Sequence, residues 1–217
     1  MILTKQTKQR SREMHRRIFI ASLIIAVAIP FSFASEHAGS HSKKAAYKLG
    51  DTVAPFSLKD VDGNNHDLNK VLGKKIIVLD FLNCQCPISN ITGFEEQRKS
   101  IVEKYKGKDV VYLGIDSNQP NSESLIKDYA KKNKLNYKIL KDVDSKVADH
   151  FGAQRTPEIF VIGKDKKIKY HGTIADNKSA SKAEKHYLVN ALDALNSGKE
   201  VAVQQSKAFG CAIKRAK

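Results

Sequence analysis

Two short apolar runs constrain the fold of this chain more than any other feature of its sequence. Ile76–Leu82 and Val110–Ile115 are rich in β-branched residues and too short to form buried helices. We therefore interpret both runs as central strands that are covered on both faces. Segments with helical spacing follow each run, and this alternation is typical of an α/β layered domain.

The other predicted elements extend this pattern in both directions. A turn at Asp62–Asn65 predicts an early hairpin, and residues 159–162 and 167–171 predict a late one. Helices are predicted at Ile91–Tyr105, Ser122–Lys132, Asp144–Phe151 and Ala183–Leu195, with short strands at Tyr137–Leu140 and Glu200–Val203. The sequence thus predicts parallel strands first and a hairpin last, in a central mixed sheet flanked by helices.

The N-terminal 34 residues predict a secretory signal. Six Lys and Arg residues against one Glu precede an apolar run at residues 18–34, which ends in small residues at the cleavage-site positions. That run is marginal for spanning a bilayer, so a cleaved signal is favoured over an anchor at residues 18–34. Residues 35–47 predict a linker, and residues 48–217 the folded domain, with a C-terminal tail from about residue 198. Export, to the periplasm or elsewhere outside the cytoplasm, would let disulfides persist.

The charge of the chain indicates a lysine-rich surface. Lys and Arg number 38 against 23 Asp and Glu, which gives a formal net charge of +15. Such a balance can attract nucleic acid or anionic membrane. However, basic and aromatic residues are not interleaved, and the sequence contains no nucleic-acid motif. We expect no nucleic-acid partner, and membrane contact only through an uncleaved signal.

Three cysteines, Cys84, Cys86 and Cys211, are too few for a disulfide scaffold, and their odd number points to a reactive thiol or an intermolecular partner. Cys86 lies between a predicted buried strand and a helix that can begin at Pro87. Unpaired backbone N–H groups at the start of a helix lower the pKa of a thiol. We therefore predict Cys86 as the nucleophile, over the alternative of a buried small hydrophobic residue.

Four segments resemble parts of known thioredoxin-fold proteins. Asp80–Ser89 (DFLNCQCPIS) resembles their active-site segment, and Arg155–Pro157 resembles their cis-proline loop. Leu49–Leu68 resembles the opening of the alkyl hydroperoxide reductase/thiol-specific antioxidant branch, the redoxins. Gly210–Lys214 resembles the ending of an exported bacterial subgroup with Cys-Pro in the active site. The resemblance implies a thioredoxin-like three-layer fold and a thiol-dependent oxidoreductase, with neither a cofactor nor a metal.

This chain departs from the family pattern at the place of the usual resolving cysteine, which is occupied by Ser89. Cys86 falls at the nucleophile's place and needs another partner. Cys84 is the nearest candidate, and Cys211 is the other if the tail folds back over the site. Asn83 stands where peroxidases carry threonine, which weakens a peroxidase assignment.

The resemblance also implies roles around the nucleophile. Cys86 would attack a protein disulfide or a peroxide, and a thiol electron donor would restore it. Asp80 resembles the buried acid that accepts protons near the nucleophile, with a pKa raised by desolvation, or it is an ordinary strand-end aspartate. Thr156 and Pro157 would bind the extended chain of a substrate. Arg155 could stabilise a thiolate, or it is a surface arginine.

Two other functions stay open at this point. Copper chaperones of the Sco type share this fold and use two cysteines with a distal histidine, for which His171 is a candidate. Their cysteines are separated by three residues, whereas Cys84 and Cys86 are separated by one. The second alternative is a catalytically idle redoxin fold that binds a partner.

Overall fold

The computed structural model describes residues 46–88, 93–177 and 180–215. The predicted signal at residues 1–34, nearly all of the predicted linker and Ser89 lie outside the described residues. Within the described ranges, no helix combines the length and the apolar character needed to cross a bilayer.

In the described part of the chain, seven strands form one mixed sheet in the order β2-β1-β5-β4-β3-β7-β8. They are β1 (Ser57–Asp60), β2 (Asn65–Asp67), β3 (Ile76–Phe81), β4 (Val110–Asp116), β5 (Lys138–Lys141), β7 (Glu158–Ile162) and β8 (Ile168–Gly172). Strands β3, β4 and β5 run parallel, and the pairs β1–β2 and β7–β8 are antiparallel hairpins. A second sheet pairs β6 (Arg155–Thr156) with β9 (Cys211–Ala212).

Four α-helices are described, namely α1 (Phe94–Lys104), α2 (Glu123–Lys132), α3 (Lys146–Phe151) and α4 (Tyr187–Asn196). Short 3-10 turns lie at Leu68–Lys70 and Ala180–Lys182. The Ser122 side chain caps α2 by accepting a hydrogen bond from the Leu125 N–H at 3.2 Å. Gly152 ends α3 with a φ of +66°, a conformation that favours glycine. Both boundaries agree with the sequence.

The central strand β3 explains the three layers, because every one of its residues is buried. Successive side chains of a strand point to opposite faces. Ile76 and Val78 join the core that contains Phe94 of α1, and Ile77 and Leu79 join the core that contains Phe151 of α3. The predicted α/β architecture with a central mixed sheet is confirmed.

Two predicted elements near the C-terminus are wrong in their extent or type. Helix α4 begins at Tyr187 rather than at Ala183, because the preceding residues bond to the loop after β8: the Glu184 N–H donates to Asp176 Oδ1 at 3.0 Å. The strand predicted at Glu200–Val203 does not form. The tail instead pairs with β8 further along the chain, through an isolated parallel bridge between Gln205 and His171.

Candidate active site

Cys86 lies just beyond the carboxyl end of β3, the central strand of the sheet. The Asn83 carbonyl accepts a hydrogen bond from the Cys86 N–H at 3.0 Å, which turns the chain after the strand. Pro87 and Ile88 are helical, so Cys86 stands at the start of a helix, as the sequence predicts. Cys86 is only 1% exposed. Something therefore covers the predicted nucleophile.

The covering group is the C-terminal tail, which brings Cys211 to Cys86. The two residues form a disulfide across a sequence separation of 125, with their Cα atoms 6.2 Å apart. Cys84 is buried and lies outside this disulfide. Of the two partners that the sequence leaves open, the structure joins Cys211 to Cys86, and no bond forms between Cys84 and Cys86.

Strand pairing holds the tail over Cys86. Strand β9 runs antiparallel to β6, with Cys211 opposite Thr156 and Ala212 opposite Arg155. Beyond the strand, the Ile213 N–H donates to the Gln154 carbonyl at 3.0 Å. Ile213 itself is buried in the core that contains α3. Backbone bonds and one buried aliphatic side chain thus fix the tail on one side of Cys211.

Gly210 shows how closely the tail approaches β6. Its φ is +143°, within the region that favours glycine, and a Cβ built there would lie 2.1 Å from the Thr156 carbonyl oxygen. No side chain can be accommodated at that distance without moving the backbone. The tail can dock in this register only with glycine before Cys211.

The loop before β7 forms the other wall of the site. The Thr156–Pro157 peptide bond is cis, and Cys86 Sγ lies 3.6 Å from the Thr156 carbonyl oxygen. Thr156 and Pro157 are therefore next to the predicted nucleophile. Arg155 is exposed, and its Nη1 is 3.5 Å from the Gly210 carbonyl oxygen, so its side chain contacts the tail.

Glu158 organises this loop and was missed in the sequence. One carboxylate oxygen accepts hydrogen bonds from the N–H groups of Gln154 and Arg155, each at 2.7 Å. The other lies 2.7 Å from His171 Nε2. Glu158 is buried at the start of β7. Its position between the cis-proline candidate Pro157 and the apolar strand predicted at residues 159–162 was the available signal.

Asn83 links the cysteine loop to the tail. Its side-chain carbonyl accepts from the Gln85 N–H at 2.8 Å, and its amide donates to Asn118 Oδ1 at 3.2 Å. The same oxygen of Asn118 accepts from the Lys214 N–H at 3.0 Å. Asn83 and Asn118 are buried. The residue that departs from the peroxidase pattern therefore has a structural role under the docked tail.

Asp80 is fully buried but does not stand alone. Its Oδ2 accepts from Arg98 Nε and from the Tyr112 hydroxyl, both at 2.6 Å. Arg98, on α1, also donates to Glu95 at 3.3 Å, and it too is fully buried. The carboxylate thus has a buried counterion, Arg98, which the resemblance did not imply. Its part in proton transfer stays a prediction.

The charged residues of α1 could have been recognised from their spacing. The buried residues of that helix are Phe94, Glu95, Arg98 and Ile101. They recur at the spacing of one helical face, and Glu95 and Arg98 sit among apolar neighbours on it. Charged residues on a buried face need partners, so this pattern indicates an internal ion pair.

Cys84 is embedded beside carboxylates. Burial raises the pKa of its thiol well above the ordinary value, and the charge of Asp116, and then that of Glu95, raise it further. The thiolate is the reactive form of cysteine. The structure therefore gives Cys84 the environment of an unreactive thiol.

This environment makes a direct prediction for chemical labelling. In the oxidised protein near pH 8, iodoacetamide should modify Cys84 at least about 100-fold more slowly than it does in urea, since both access and the thiolate fraction are reduced. Mass spectrometry of the alkylated protein measures this rate. Equal labelling in native buffer and in urea would contradict the assignment.

The same thiol predicts a pH effect on stability. Burial raises the pKa of the Cys84 thiol in the folded protein above its ordinary value of 9.0, so the protonated thiol contributes to stability below that pH. This contribution is lost as the pH rises from 9.0 towards the pKa of the folded protein. Urea unfolding of the wild type and of Cys84→Ala should show a stability gap that narrows above about pH 9. A gap that does not change with pH would contradict this linkage.

His171 makes contacts that bear on the copper hypothesis. Its ring stacks on Phe160 at 4.1 Å between centroids and bonds to Glu158. Among the residues that the structure describes, no group of three or more His, Cys, Asp and Glu side chains is arranged to hold a metal ion. The copper hypothesis gains no supporting contact.

Comparison with known proteins decides the family. The family model described as the AhpC/TSA family matches residues 49–171, more than half of the chain. The chain belongs to the AhpC/TSA family. This AhpC/TSA protein is 24% identical over 163 residues to the thiol-disulfide oxidoreductase ResA of Geobacillus thermodenitrificans, an alignment that covers 75% of this chain and 87% of ResA.

Two peroxiredoxins are also relatives of this AhpC/TSA chain. It is 29% identical over 131 residues to chloroplastic peroxiredoxin Q of Gentiana triflora, covering 56% of this chain and 57% of the relative. It is 30% identical over 105 residues to peroxiredoxin Bcp of Escherichia coli K12, an alignment that covers 48% of this chain and 64% of the relative. The chain thus spans less than two thirds of either peroxiredoxin.

Solved structures show the same fold. A hypothetical protein of Sinorhizobium meliloti superposes with a TM-score of 0.71 at 25% identity, covering 79% of this chain and 97% of that one. An uncharacterised conserved protein of Geobacillus kaustophilus gives 0.71 at 27% identity, covering 78% and 93%. Peroxidoxin BcpB of Mycobacterium tuberculosis gives 0.53 at 23% identity, covering 69% and 97%, and shows the fold alone. The predicted thioredoxin-like fold is confirmed.

Proposed function

We propose that this protein is a thiol-disulfide oxidoreductase in which Cys86 is the nucleophile and Cys211 resolves it. The observation that carries the proposal is the Cys86–Cys211 disulfide beside the Thr156–Pro157 loop. A nucleophile at a helix start, paired with a second cysteine on the two-residue strand β9, has the parts of a two-cysteine cycle. ResA, a thiol-disulfide oxidoreductase by name, is among the relatives.

The cycle begins from the reduced protein. The Cys86 thiolate attacks one sulfur of a partner disulfide, forming a mixed disulfide while the other partner sulfur leaves as a thiol. The Cys211 thiolate then attacks Cys86 Sγ, forms the Cys86–Cys211 bond and releases the second partner thiol. Two electrons pass to the partner, and a thiol electron donor returns them by reducing the protein disulfide.

The remaining site residues receive supporting roles in this proposal. The Thr156 carbonyl oxygen lies 3.6 Å from Cys86 Sγ, and Thr156 and Pro157 would contact the partner. Arg155 would contact chain segments that lie over β6, as it contacts Gly210 now. Asp80, held by Arg98, would shape the electrostatics behind the site. Cys84 would take no part, because its environment favours the thiol form.

Peroxide reduction is the second candidate function. The 29% and 30% identity to peroxiredoxin Q and peroxiredoxin Bcp favours it. In that cycle Cys86 would attack a peroxide oxygen and become a sulfenic acid, with water or an alcohol leaving. Cys211 would condense with it to give the same disulfide and release water.

We also propose that the protein is an exported member of its family, of the bacterial subgroup with Cys-Pro at the active site. The basic and apolar character of residues 1–34 supports a signal, and residues 35–47 a linker to the domain at residues 48–217. A disulfide at the site is consistent with an oxidising compartment.

Cysteine variants test the proposed function. With dithiothreitol as the donor and insulin as the substrate, Cys86→Ser should lose turnover by at least about 100-fold, because the nucleophile is gone. Cys211→Ser is the matched control: it lacks the same disulfide but should still form a mixed disulfide through Cys86. Cys84→Ser should stay within about twofold of the wild type. Wild-type turnover by Cys86→Ser would overturn the proposal, and a faster reaction with hydrogen peroxide than with insulin would favour the second candidate.

A further inference from the structure

The docked tail uses the edge of β6, the short strand that leads into Pro157. Cys211 and Ala212 are paired with Thr156 and Arg155, and the Thr156 hydroxyl lies 3.4 Å from the Cys211 carbonyl oxygen. Backbone pairing of this kind depends little on side-chain identity, so the edge can accept any extended segment that fits its shape. In this structure the segment is the protein's own.

Two side chains anchor the tail on either side of Cys211. Phe209 packs against the core that contains α1, with its ring centroid 6.1 Å from that of Phe94. Ile213 is 7% exposed and packs in the core that contains α3. The tail therefore crosses between the two cores, and the cysteine is at the crossing point. An apolar anchor follows the cysteine by two residues.

The residue before the cysteine is under the tightest restriction. A Cβ at Gly210 would lie 2.1 Å from the Thr156 oxygen and 2.8 Å from the Thr156 carbonyl carbon. Both atoms are backbone, so they cannot move aside as a flexible side chain would. Ala212, in contrast, is exposed. The edge thus selects glycine at one side of the cysteine and tolerates variation at the other.

Building on the proposed function, we propose that the tail occupies the site of its partner. The β6 edge takes up an extended segment of a partner polypeptide that contains a disulfide-bonded cysteine, preceded by glycine and followed two residues later by an aliphatic residue. The tail, with Gly210, Cys211 and Ile213, is a built-in copy of that segment.

Competition for one edge then couples two steps of the cycle. In the mixed disulfide, Cys86 is bonded to the partner cysteine, and the partner segment is paired with β6. When Cys211 attacks Cys86 Sγ, the partner sulfur leaves as a thiolate and takes up a proton. The tail then pairs with the same backbone groups of β6 that held the partner. Resolution and release of the reduced partner are therefore one event.

A peptide that copies the tail tests this inference. The probe is Phe-Gly-Cys-Ala-Ile-Lys with its cysteine linked to thionitrobenzoate. Attack by reduced Cys86 on the peptide sulfur bonds the peptide to Cys86 and releases coloured thionitrobenzoate. In full-length Cys211→Ser, replacing the probe's glycine by valine should slow the reaction at least about tenfold, since the valine Cβ meets the Thr156 carbonyl. Replacing its isoleucine by serine should slow it by a similar factor.

A second protein variant removes the competing tail. In Gly210→Val with Cys211→Ser, the tail cannot dock, and the glycine probe should react at least about tenfold faster than in Cys211→Ser alone. Ala212→Val with Cys211→Ser is the matched control, because Ala212 is exposed, and its rate should equal that of Cys211→Ser. Both double variants should keep the preference for the glycine probe.

A reaction with dithiobis(nitrobenzoate) separates failure of the inference from failure of the proposed function. This reagent is a small disulfide that needs no strand edge. If it modifies Cys86 but the glycine and valine probes react equally in the Gly210→Val background, the inference is wrong and the function stands. If mass spectrometry shows that neither dithiobis(nitrobenzoate) nor either probe modifies Cys86, the inference and the proposed function are both wrong.

Discussion

Reduction of the Cys86–Cys211 disulfide will lower the free energy of unfolding by about 5 kcal/mol, because the bond closes a loop with a sequence separation of 125. A cross-link over so long a loop removes many conformations from the unfolded chain. Urea unfolding with and without dithiothreitol measures the difference. A loss of this size would be a large fraction of the stability of an ordinary domain.

Two variants control this prediction. Cys211→Ser should have the stability of the reduced wild type and should not respond to dithiothreitol. Cys84→Ser should keep the full response, since Cys84 is outside the disulfide. If dithiothreitol leaves the urea midpoint of the wild type unchanged, the bond does not close this loop in solution.

The free energy that the disulfide contributes to folding also changes how readily the disulfide is reduced. By linkage, whatever the disulfide contributes to the stability of the fold, the fold contributes to the stability of the disulfide. Strand pairing and the burial of Ile213 therefore favour the oxidised protein. A protein whose oxidised form is stabilised is a strong donor when reduced, the converse of an oxidant whose reduced form is stabilised. This favours a role in reducing partner disulfides over a role in forming them.

The sequence predicts the sheet well because its signals are local. Ile76–Phe81 and Val110–Asp116 form strands where continuous apolar runs end at polar residues, and Cys86 falls at the strand end that the runs imply. The strand predicted at Glu200–Val203 fails for a physical reason. Val201 is buried, but Val203 is 49% exposed, so the β-branched residues there have no shared sheet partner.

The pairing of Cys86 with Cys211 could not be derived from the sequence in the same way. It depends on the return of the tail to β6, which is fixed by backbone bonds such as that from the Ile213 N–H to the Gln154 carbonyl. Backbone bonds leave little trace in side-chain periodicity. Gly210 is the exception, because its close approach to Thr156 demands glycine. A single glycine, however, indicates a turn as readily as a close contact.

Asp80 shows the other limit of a sequence comparison. The motif identifies the buried carboxylate correctly, yet the electrostatic environment of that carboxylate depends on Arg98, which is 18 residues away on α1. The resemblance to the family's buried acid therefore described the residue but not its neighbours. The helical face of α1, with two charged residues among apolar ones, carried that information.

Arg98→Met will lower the free energy of unfolding by about 3–5 kcal/mol, the usual cost of removing one partner of a buried ion pair. Both Asp80 and Arg98 have fully buried side chains, so the variant would leave the Asp80 carboxyl buried without its cation, with the Tyr112 hydroxyl still donating to it. Glu95 would be affected less, because it also accepts from the Tyr129 and Tyr137 hydroxyls at 2.5 Å. Urea unfolding of the oxidised variant measures the loss.

Two comparisons distinguish an unpaired buried charge from lost packing as the cause of the loss. Lys106→Met removes a cation that is 75% exposed and bonded to an exposed Glu103, so it should cost less than about 1 kcal/mol. Adding Asp80→Asn to Arg98→Met removes the carboxylate that has lost its cation. The double variant should recover about half or more of the lost free energy of unfolding. If the double variant is less stable than Arg98→Met alone, the pair contributes through shape rather than charge. Recovery would instead show that the contact between Asp80 and Arg98 stabilises the fold as an ion pair.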